Sequence, residues 1–363
     1  MRRDLAAVIG LFLGLGLAGP VPVVAGSPRE HFASHPLRVK PNTTSAPTGL
    51  SPATIKSVYS FPTGSTAGAG KTIAIVDAYD DPTAEADLGV FSSQFGLPAC
   101  TTANGCFSKV DQTGGSNYPR TDGGWALEIS LDIQWAHAIA PGARILLVEA
   151  RTKSLTNLLA AEDYAKTHAQ YVSNSWGFPE FRREAANDSH FVQPGVSIFV
   201  ASGDAGTPAL YPSTSPNVIS VGGTTLNFSG GSFTSETGWT GSGGGCSQYE
   251  TATSAQASFA TFSQVNCGNS RGTPDISLDA DPNSGVSVYD TTRYHGQTGW
   301  WQLGGTSASS PMIAARAAVA GVVVDSAYVY SDSITYRDIT TGNNGAPCLV
   351  GYDLVTGRGS WTH

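Results

Sequence analysis

The sequence predicts an α/β fold in which a mostly parallel sheet carries helices on both faces, and three observations carry that prediction. Short apolar runs without polar alternation, such as Thr72-Ile73-Ala74-Ile75-Val76, read as strands buried on both faces. Between residues 71 and 221 these runs alternate with helical stretches, as parallel strands joined by crossover helices must. Acidic and small residues follow three of the runs: Asp77, Asn174-Ser175-Trp176-Gly177 and Ser202-Gly203-Asp204. In such sheets the carboxyl ends of the strands are where ligands bind, so these three stretches predict one cleft.

Taken in order, Met1-Arg2-Arg3, the apolar run Leu5 to Ala18 and the small residues Val23-Val24-Ala25 read as a secretory signal peptide over residues 1–25. Gly10, Gly14, Gly16, Pro20 and Pro22 interrupt the run and argue against a retained membrane anchor. Residues 26–55 are rich in Pro, Ser and Thr and are assigned to a linker or short propeptide remnant, which leaves 56–363 as a single domain. Strand Lys71 to Val76 is followed by helices Thr83 to Phe95 and Trp125 to Ala140, strand Ala143 to Glu149 and helix Ser154 to Thr167. Then come strand Tyr171 to Ser175, a helix around Glu184 to Phe191, strands Ser197 to Ala201 and Val218 to Val221, and an apolar helical run from Met312 to Val324.

The composition, 43 glycines in 363 residues with 13% charged and 40% hydrophobic, suits one globular domain with many turns. The net charge of −8 and the lack of any Lys/Arg cluster exclude nucleic acid and anionic membrane surfaces as partners. Low charge density also suits a protein that meets acid. Five cysteines fit an exported protein with two local disulfides, Cys100 with Cys106 and Cys246 with Cys267, leaving Cys348 over.

Gly304-Gly305-Thr306-Ser307-Ala308-Ser309-Ser310-Pro311 surrounds a hydroxyl with small residues just before a helix. Unpaired N–H groups at a helix start can hold a developing oxyanion, so Ser307 is the candidate nucleophile. A serine hydroxyl needs a base, yet none of the seven histidines opens a helix from a His-Gly-Thr turn, and His137 reads as filling a half-buried helix face. Glu128 and Asp132 are four residues apart on one helix face, and two carboxyls so placed share a proton, one pKa rising and the other falling. Such a pair accepts the Ser307 proton in acid, where imidazole is already protonated. Apolar neighbours Leu127, Ile129, Leu131, Ile133 and Trp135 argue that the pair is buried. Asp204, in a Gly-flanked turn after a buried strand, supplies a carboxyl that, kept protonated, donates to the oxyanion.

With Glu128-x-x-x-Asp132, Ser-Gly-Asp204 and Gly-Thr-Ser307-Ala in this order, the chain resembles the sedolisins, serine-carboxyl peptidases on a subtilisin-like fold. Further matching stretches are Val76 to Pro82, Ser173 to Gly177, Tyr211-Pro212 through Thr224, and Pro274 through Pro282. The resemblance implies a secreted, monomeric acid endopeptidase acting on proteins or peptides, with Ser307 as nucleophile, Glu128 as base and acid, Asp132 orienting it and Asp204 as oxyanion donor. It also implies that Ser175-Trp176-Gly177 and Ser242 to Gly245 pair with an extended substrate, and that calcium (Ca2+) is held by Asp338 and Asp353 carboxylates and the carbonyls of Ile339, Leu349 and Gly351. The short segment ahead of the fold and the short loop Asn343 to Val350 set a second reading beside it, an exported non-catalytic peptide-binding protein derived from a peptidase. A subtilisin-type peptidase using Asp77 would need a histidine that these motifs do not supply. For the enzyme, the carboxyl chemistry predicts a bell-shaped pH profile with its maximum at about pH 3 to 5.

Overall fold

The computed structural model describes residues 30–40 and 43–362, so the signal-peptide assignment at 1–25 lies outside the described residues. Seven parallel strands form the centre of the main sheet: β1 (Thr72–Ala78), β2 (Phe107–Asp111), β3 (Arg144–Ala150), β4 (Tyr171–Asn174), β5 (Ser197–Ala201), β6 (Ile219–Ser229) and β7 (Ile276–Asp279). Their spatial order is β2-β3-β1-β4-β5-β6-β7, which bears out the parallel α/β architecture.

Strand geometry assigns the two faces. Ile73 and Ile75 enter one core and Ala74 and Val76 the other, because successive side chains of a strand point to opposite sides. Helices α1 (Pro52–Tyr59), α2 (Ala84–Phe95), α3 (Gly123–Ile139) and α5 (Thr306–Ala320) pack on the first face, and α4 (Leu155–His168) on the second. α3 starts at Asp122, whose carboxylate caps the amides of Gly124 and Trp125. It is apolar nearly all round and buried from Trp125 to Ile139, so any carboxyl in it is taken into the interior. Hydrogen bonds from Gln134 Nε2 to the Tyr289 carbonyl (2.7 Å) and from Trp135 Nε1 to that of Ser287 (3.0 Å) fix α3 against an antiparallel hairpin, β8 (Val286–Tyr294) and β9 (Gln297–Gly304).

Several elements differ from expectation. The last helix starts at Thr306 rather than Met312, which puts Ser307 in its first turn, and it ends before Gly321 (φ 70°). Pro311, inside that helix, has no N–H for the Ser307 carbonyl four residues back. The 184–191 stretch is a 3-10 helix. The hairpin β8–β9 escapes a search for apolar runs because Asp, Thr and Gln interrupt it. Much of the stretch assigned to a linker is packed: Ser51 caps α1, Ile55 enters the core, and Arg38–Val39 pairs with β9. Composition hides this, since the contacts that order the segment come from residues far along the chain.

Both expected disulfides are present, and Cys348 is a buried free thiol that burial pushes up to about 12. Burial also raises three carboxyls that play no part in the cleft chemistry: Glu149 to about 9, and Glu162 and Asp290 to about 8. A raised acid binds its proton more tightly folded than unfolded. Its contribution to stability is therefore complete below the unfolded carboxyl range near pH 4 and is lost as pH rises through the folded value. The melting temperature is expected to be higher at pH 4 than at pH 8; equal melting curves would contradict the assignment.

Candidate active site

The carboxyl ends of β1, β4 and β5 meet the amino-terminal turn of α5 and the first half of α3. Glu128 and Asp132 are fully buried, as their apolar neighbours suggested. Asp77 shares the side of β1 that Ile73 and Ile75 present to α3, so it joins this pair. Burial raises Asp132 well above the usual carboxyl range, and the charges of Asp77 and Glu128 add to it. Asp77 is raised likewise, by burial and then by Glu128 and Glu149. Three carboxyls thus share fewer than three charges. Ser175 lies beside Asp132, whereas Asn174, one residue earlier, turns to the opposite face beside Glu162.

Ser307 is wholly buried, and its Oγ makes no hydrogen bond among the described residues. Its position is fixed by its helix: Ser310 Oγ meets Ser173 Oγ of β4 at 2.9 Å, and Ser309 Oγ donates to the Leu278 and Asp279 carbonyls of β7 at 3.0 Å. Asp204 comes in from the turn after β5. Its Oδ1 accepts the Thr306 N–H at 2.8 Å, which sets the carboxyl beside the residue preceding Ser307, and its Oδ2 has no hydrogen-bond partner among the described residues. Burial pushes Asp204 up to about 8, against the opposing pull of the Thr306 amide and Arg38; the Glu128 charge adds to the rise. The carboxyl is therefore a donor across the acid range.

His137 lies at the far end of α3, where Nε2 meets the Pro98 carbonyl at 2.9 Å next to the Cys100–Cys106 disulfide, and burial lowers its pKa. It is a core histidine. The histidine that does approach the site is His35, with Nδ1 3.4 Å from Glu128 Oε2, longer than a formed hydrogen bond. Arg38 follows, its Nη2 donating to the Asp204 carbonyl at 2.6 Å and its Nε 3.5 Å from Asp204 Oδ2. Both lie in the stretch read as a linker. Their only local signal was a pair of basic side chains three residues apart, which says nothing of what they face.

Of the two strands assigned to substrate pairing, Gly177 does present its backbone edge, exchanging two 3.0 Å hydrogen bonds with Ser34. The Ser242 to Gly245 run differs. Its Gly243 and Gly244 amides are committed to the carbonyls of Gly203 (2.7 Å) and Gly206 (3.3 Å), so this part of the run backs the Asp204 turn.

The expected calcium residues gather in one loop. Asp338 accepts the Gly351 N–H at 3.0 Å, and Asp353 accepts those of Leu349, Val355 and Thr356 at 3.1, 2.8 and 2.7 Å. The carbonyls alternate. Those of Val350 and Tyr352 accept from Gln264 at 2.9 and 2.6 Å, while those of Ile339, Leu349 and Gly351 accept no hydrogen bond among the described residues. Two carboxylates and three uncommitted carbonyls are a donor set that fits a hard cation.

A model of the subtilase family matches residues 117–337, and the chain belongs to that family. It is 31% identical over 362 residues to kumamolisin of Bacillus sp. strain MN-32, covering 87% of this chain and 63% of that protein. To sedolisin of Pseudomonas sp. strain 101 it is 27% identical over 420 residues, covering 99% of this chain and 66% of the relative. The solved structure of Pseudomonas sedolisin, a serine-carboxyl proteinase complexed with pseudo-iodotyrostatin, superposes with a TM-score of 0.73 at 29% identity, covering 88% of this chain and 96% of that one. Within the subtilases, the chain is a member of the sedolisin family, as its motifs suggested. Sphericase, at 18% identity and a TM-score of 0.56, shares the fold alone. The chain spans less than two thirds of the length of the curated relatives it matches, from 41% of xanthomonalisin of Xanthomonas sp. strain T-22 to 66% of sedolisin.

Proposed function

We propose that the protein is a secreted endopeptidase that hydrolyses peptide bonds in acid, with Ser307 as nucleophile. The observation that carries this reading is a buried serine hydroxyl without a partner, next to a carboxyl held protonated at Asp204 and in a cleft shared with a buried carboxyl cluster. Ser307 Oγ attacks the scissile carbonyl carbon as Glu128 takes its proton. Asp204 donates from Oδ2 to the oxygen that becomes negative, an interaction made only as charge develops and worth about 3 kcal/mol for a well-placed donor. Glu128 then returns the proton to the departing amine. Water, giving a proton to the same carboxylate, attacks the acyl carbon, and as its bond to Ser307 Oγ breaks Glu128 returns that proton to Oγ. Asp132 orients Glu128 and, raised well above the usual carboxyl range by burial, keeps a proton of its own.

Substrates are proteins or peptides, bound as extended chains, and the enzyme works as a monomer. Two disulfides support export, and no helix among the described residues is long and apolar enough to cross a membrane. Digestion of casein at pH 3 to 4 tests the reading against Ser307→Ala. If neither protein cleaves casein while a peptide still binds, the non-catalytic alternative replaces it.

Calcium belongs to the same reading, held by Asp338, Asp353 and the carbonyls of Ile339, Leu349 and Gly351. It would supply stability, tying the loop to the strand end before it, and no chemical step. Bound at 100 times its dissociation constant, an ion that prefers the folded state adds about 2.7 kcal/mol. EDTA treatment or Asp353→Ala is expected to lower the melting temperature. An unchanged curve after exhaustive chelation would remove the ion from the account.

A further inference from the structure

We propose that Cys100, Cys106 and His137 form a redox-gated metal site, which takes a thiophilic cation such as Zn2+ while the two cysteines are reduced and gives it up when they close as a disulfide. The site lies at the far end of α3 from the cleft, and the inference does not depend on the peptidase reading.

Two sulfurs and a ring nitrogen are already gathered. One ligand atom from each of the three residues lies within 4.8 Å of the other two. Cys100 follows α2, Cys106 leads into β2 and His137 stands in the last turn of α3, so three elements of the fold converge there. Cys100 and His137 are fully buried, whereas Cys106 is only partly so, which leaves one side of the cluster open to water. Two thiolates, an imidazole and a water make up the four-coordinate set that zinc takes in sites with an open position.

The loop that brings the thiols together is framed by hydrogen bonds of its own. Asn104 Oδ1 accepts the N–H groups of Thr101 and Cys106 at 3.1 and 3.0 Å, and its Nδ2 donates to the Ala99 carbonyl at 2.8 Å. The Thr101 carbonyl accepts from Cys106 and Phe107, both at 3.2 Å, and Glu85 of α2 accepts the Thr102 N–H at 2.9 Å. None of these bonds uses the sulfurs. A dithiol in that frame remains a chelate, with Cα atoms 4.8 Å apart, and a chelate ordered in advance loses less freedom on binding.

His137 carries what core packing alone does not require. Its Nε2 meets the Pro98 carbonyl at 2.9 Å, and a carbonyl only accepts, so the neutral ring holds its proton there and keeps a lone pair on Nδ1. Nδ1 is buried and has no hydrogen-bond partner among the described residues. A histidine with one nitrogen tied to a backbone carbonyl and the other free has the arrangement of a metal ligand. Burial lowers its pKa; the Pro98 bond opposes the shift and Lys56 of α1 adds to it. The ring is thereby kept in the neutral form that binds metal. Two thiolates and Zn2+ make a neutral unit, so the Lys56 charge does not repel it.

The two states interconvert through an external thiol couple. A small dithiol gives two electrons and two protons to the Cys100–Cys106 disulfide and leaves as a cyclic disulfide, and Zn2+ then displaces both thiol protons as the Zn–S bonds form. In the reverse direction a small disulfide takes the two electrons and two protons from solution, departing as two thiols, while the S–S bond closes and the ion leaves. Held on the metal, the pair is kept from reacting with Cys246, Cys267 or Cys348.

The test uses the full chain carrying Ser307→Ala, which cannot cut itself, at neutral pH with calcium in excess. Cobalt(II), followed by its sulfur charge-transfer absorption, is expected to bind the phosphine-reduced chain at one ion per chain and the oxidised chain not at all, and Zn2+ is expected to displace it. Zinc is expected to raise the melting temperature of the reduced chain only. Cys100→Ser with Cys106→Ser should abolish the absorption. His137→Gln, whose amide can still donate to the Pro98 carbonyl, should weaken zinc binding by at least about tenfold. No sulfur–cobalt absorption in the reduced chain would overturn the proposal, and absorption that survives in the double-serine variant would do the same by placing the ligands elsewhere. Unchanged zinc affinity in His137→Gln would remove the third ligand and with it the site. Loss of near-ultraviolet circular dichroism in the reduced, zinc-loaded chain would also sink it, because the ion would then not be held by the folded frame.

Discussion

Ser307→Ala is expected to abolish peptide hydrolysis and leave the melting temperature where it was. The hydroxyl donates to nothing and accepts from nothing among the described residues, so its removal leaves no partner unsatisfied. Ala308 and Ala314 already occupy buried positions on the same helix, and alanine favours the helix over serine. The loss in kcat should be on the order of 10⁶-fold, the scale on which nucleophile deletions in unit-acting catalytic groups fall. Glu128→Gln should cost nearly as much, because an amide of the same shape cannot take the proton. The substitution should not destabilise the fold, since Glu128 is one of the groups that raise the buried Asp77 and Asp132. Both variants are read by casein hydrolysis in acid together with a thermal melt. Activity surviving in purified Ser307→Ala would sink the nucleophile assignment.

The parts of the site that were legible in the sequence share a physical property: each is specified by its immediate neighbours. Glu128 and Asp132 announce themselves by the four-residue spacing and by the apolar residues that surround them on a single helix. Asp204 stands in a Gly-flanked turn after a buried strand, and Ser307 among small residues at the mouth of a helix. The central strands are uninterrupted apolar runs for the same reason, being covered on both faces. Asp77 was visible as a residue at a strand end, but its membership of the carboxyl cluster depends on which face of β1 meets α3, and that is decided by packing. The segment from His31 to Lys40 was not legible at all. Its side chains form no periodic pattern, and its order comes from pairing with Gly177 and with Gly304, 143 and 266 residues away from Ser34 and Arg38 respectively. The calcium loop lies between these cases. Its acidic residues were readable only by resemblance, whereas the alternation of committed and uncommitted carbonyls appears only when the backbone is built.

Asp204→Asn separates a hydrogen-bond donor from a titrating one. In the wild type, burial holds Asp204 at about 8, so the protonated, donating form is present below that pH and is lost as pH rises through it. Activity should therefore fall along the alkaline limb as Asp204 ionises, since a carboxylate beside a developing oxyanion repels it. On the acid side activity falls when the buried carboxyl cluster as a whole no longer has an ionised oxygen to receive the Ser307 proton. The asparagine variant can keep its Oδ1 on the Thr306 amide, 2.8 Å away in the wild type, and turn its NH₂ toward the position of Oδ2. It retains a donor with no proton to lose. An amide is a weaker donor than a carboxylic acid, so the rate at the optimum should fall by about 10²-fold. The alkaline limb should flatten or shift, because the group that set it no longer titrates. A full-rate variant with an unchanged profile would reduce Asp204 to a turn residue. A wild-type optimum at or above pH 8 would go further and remove the carboxyl mechanism, since half or more of the oxyanion donors would then be ionised at the pH of greatest activity.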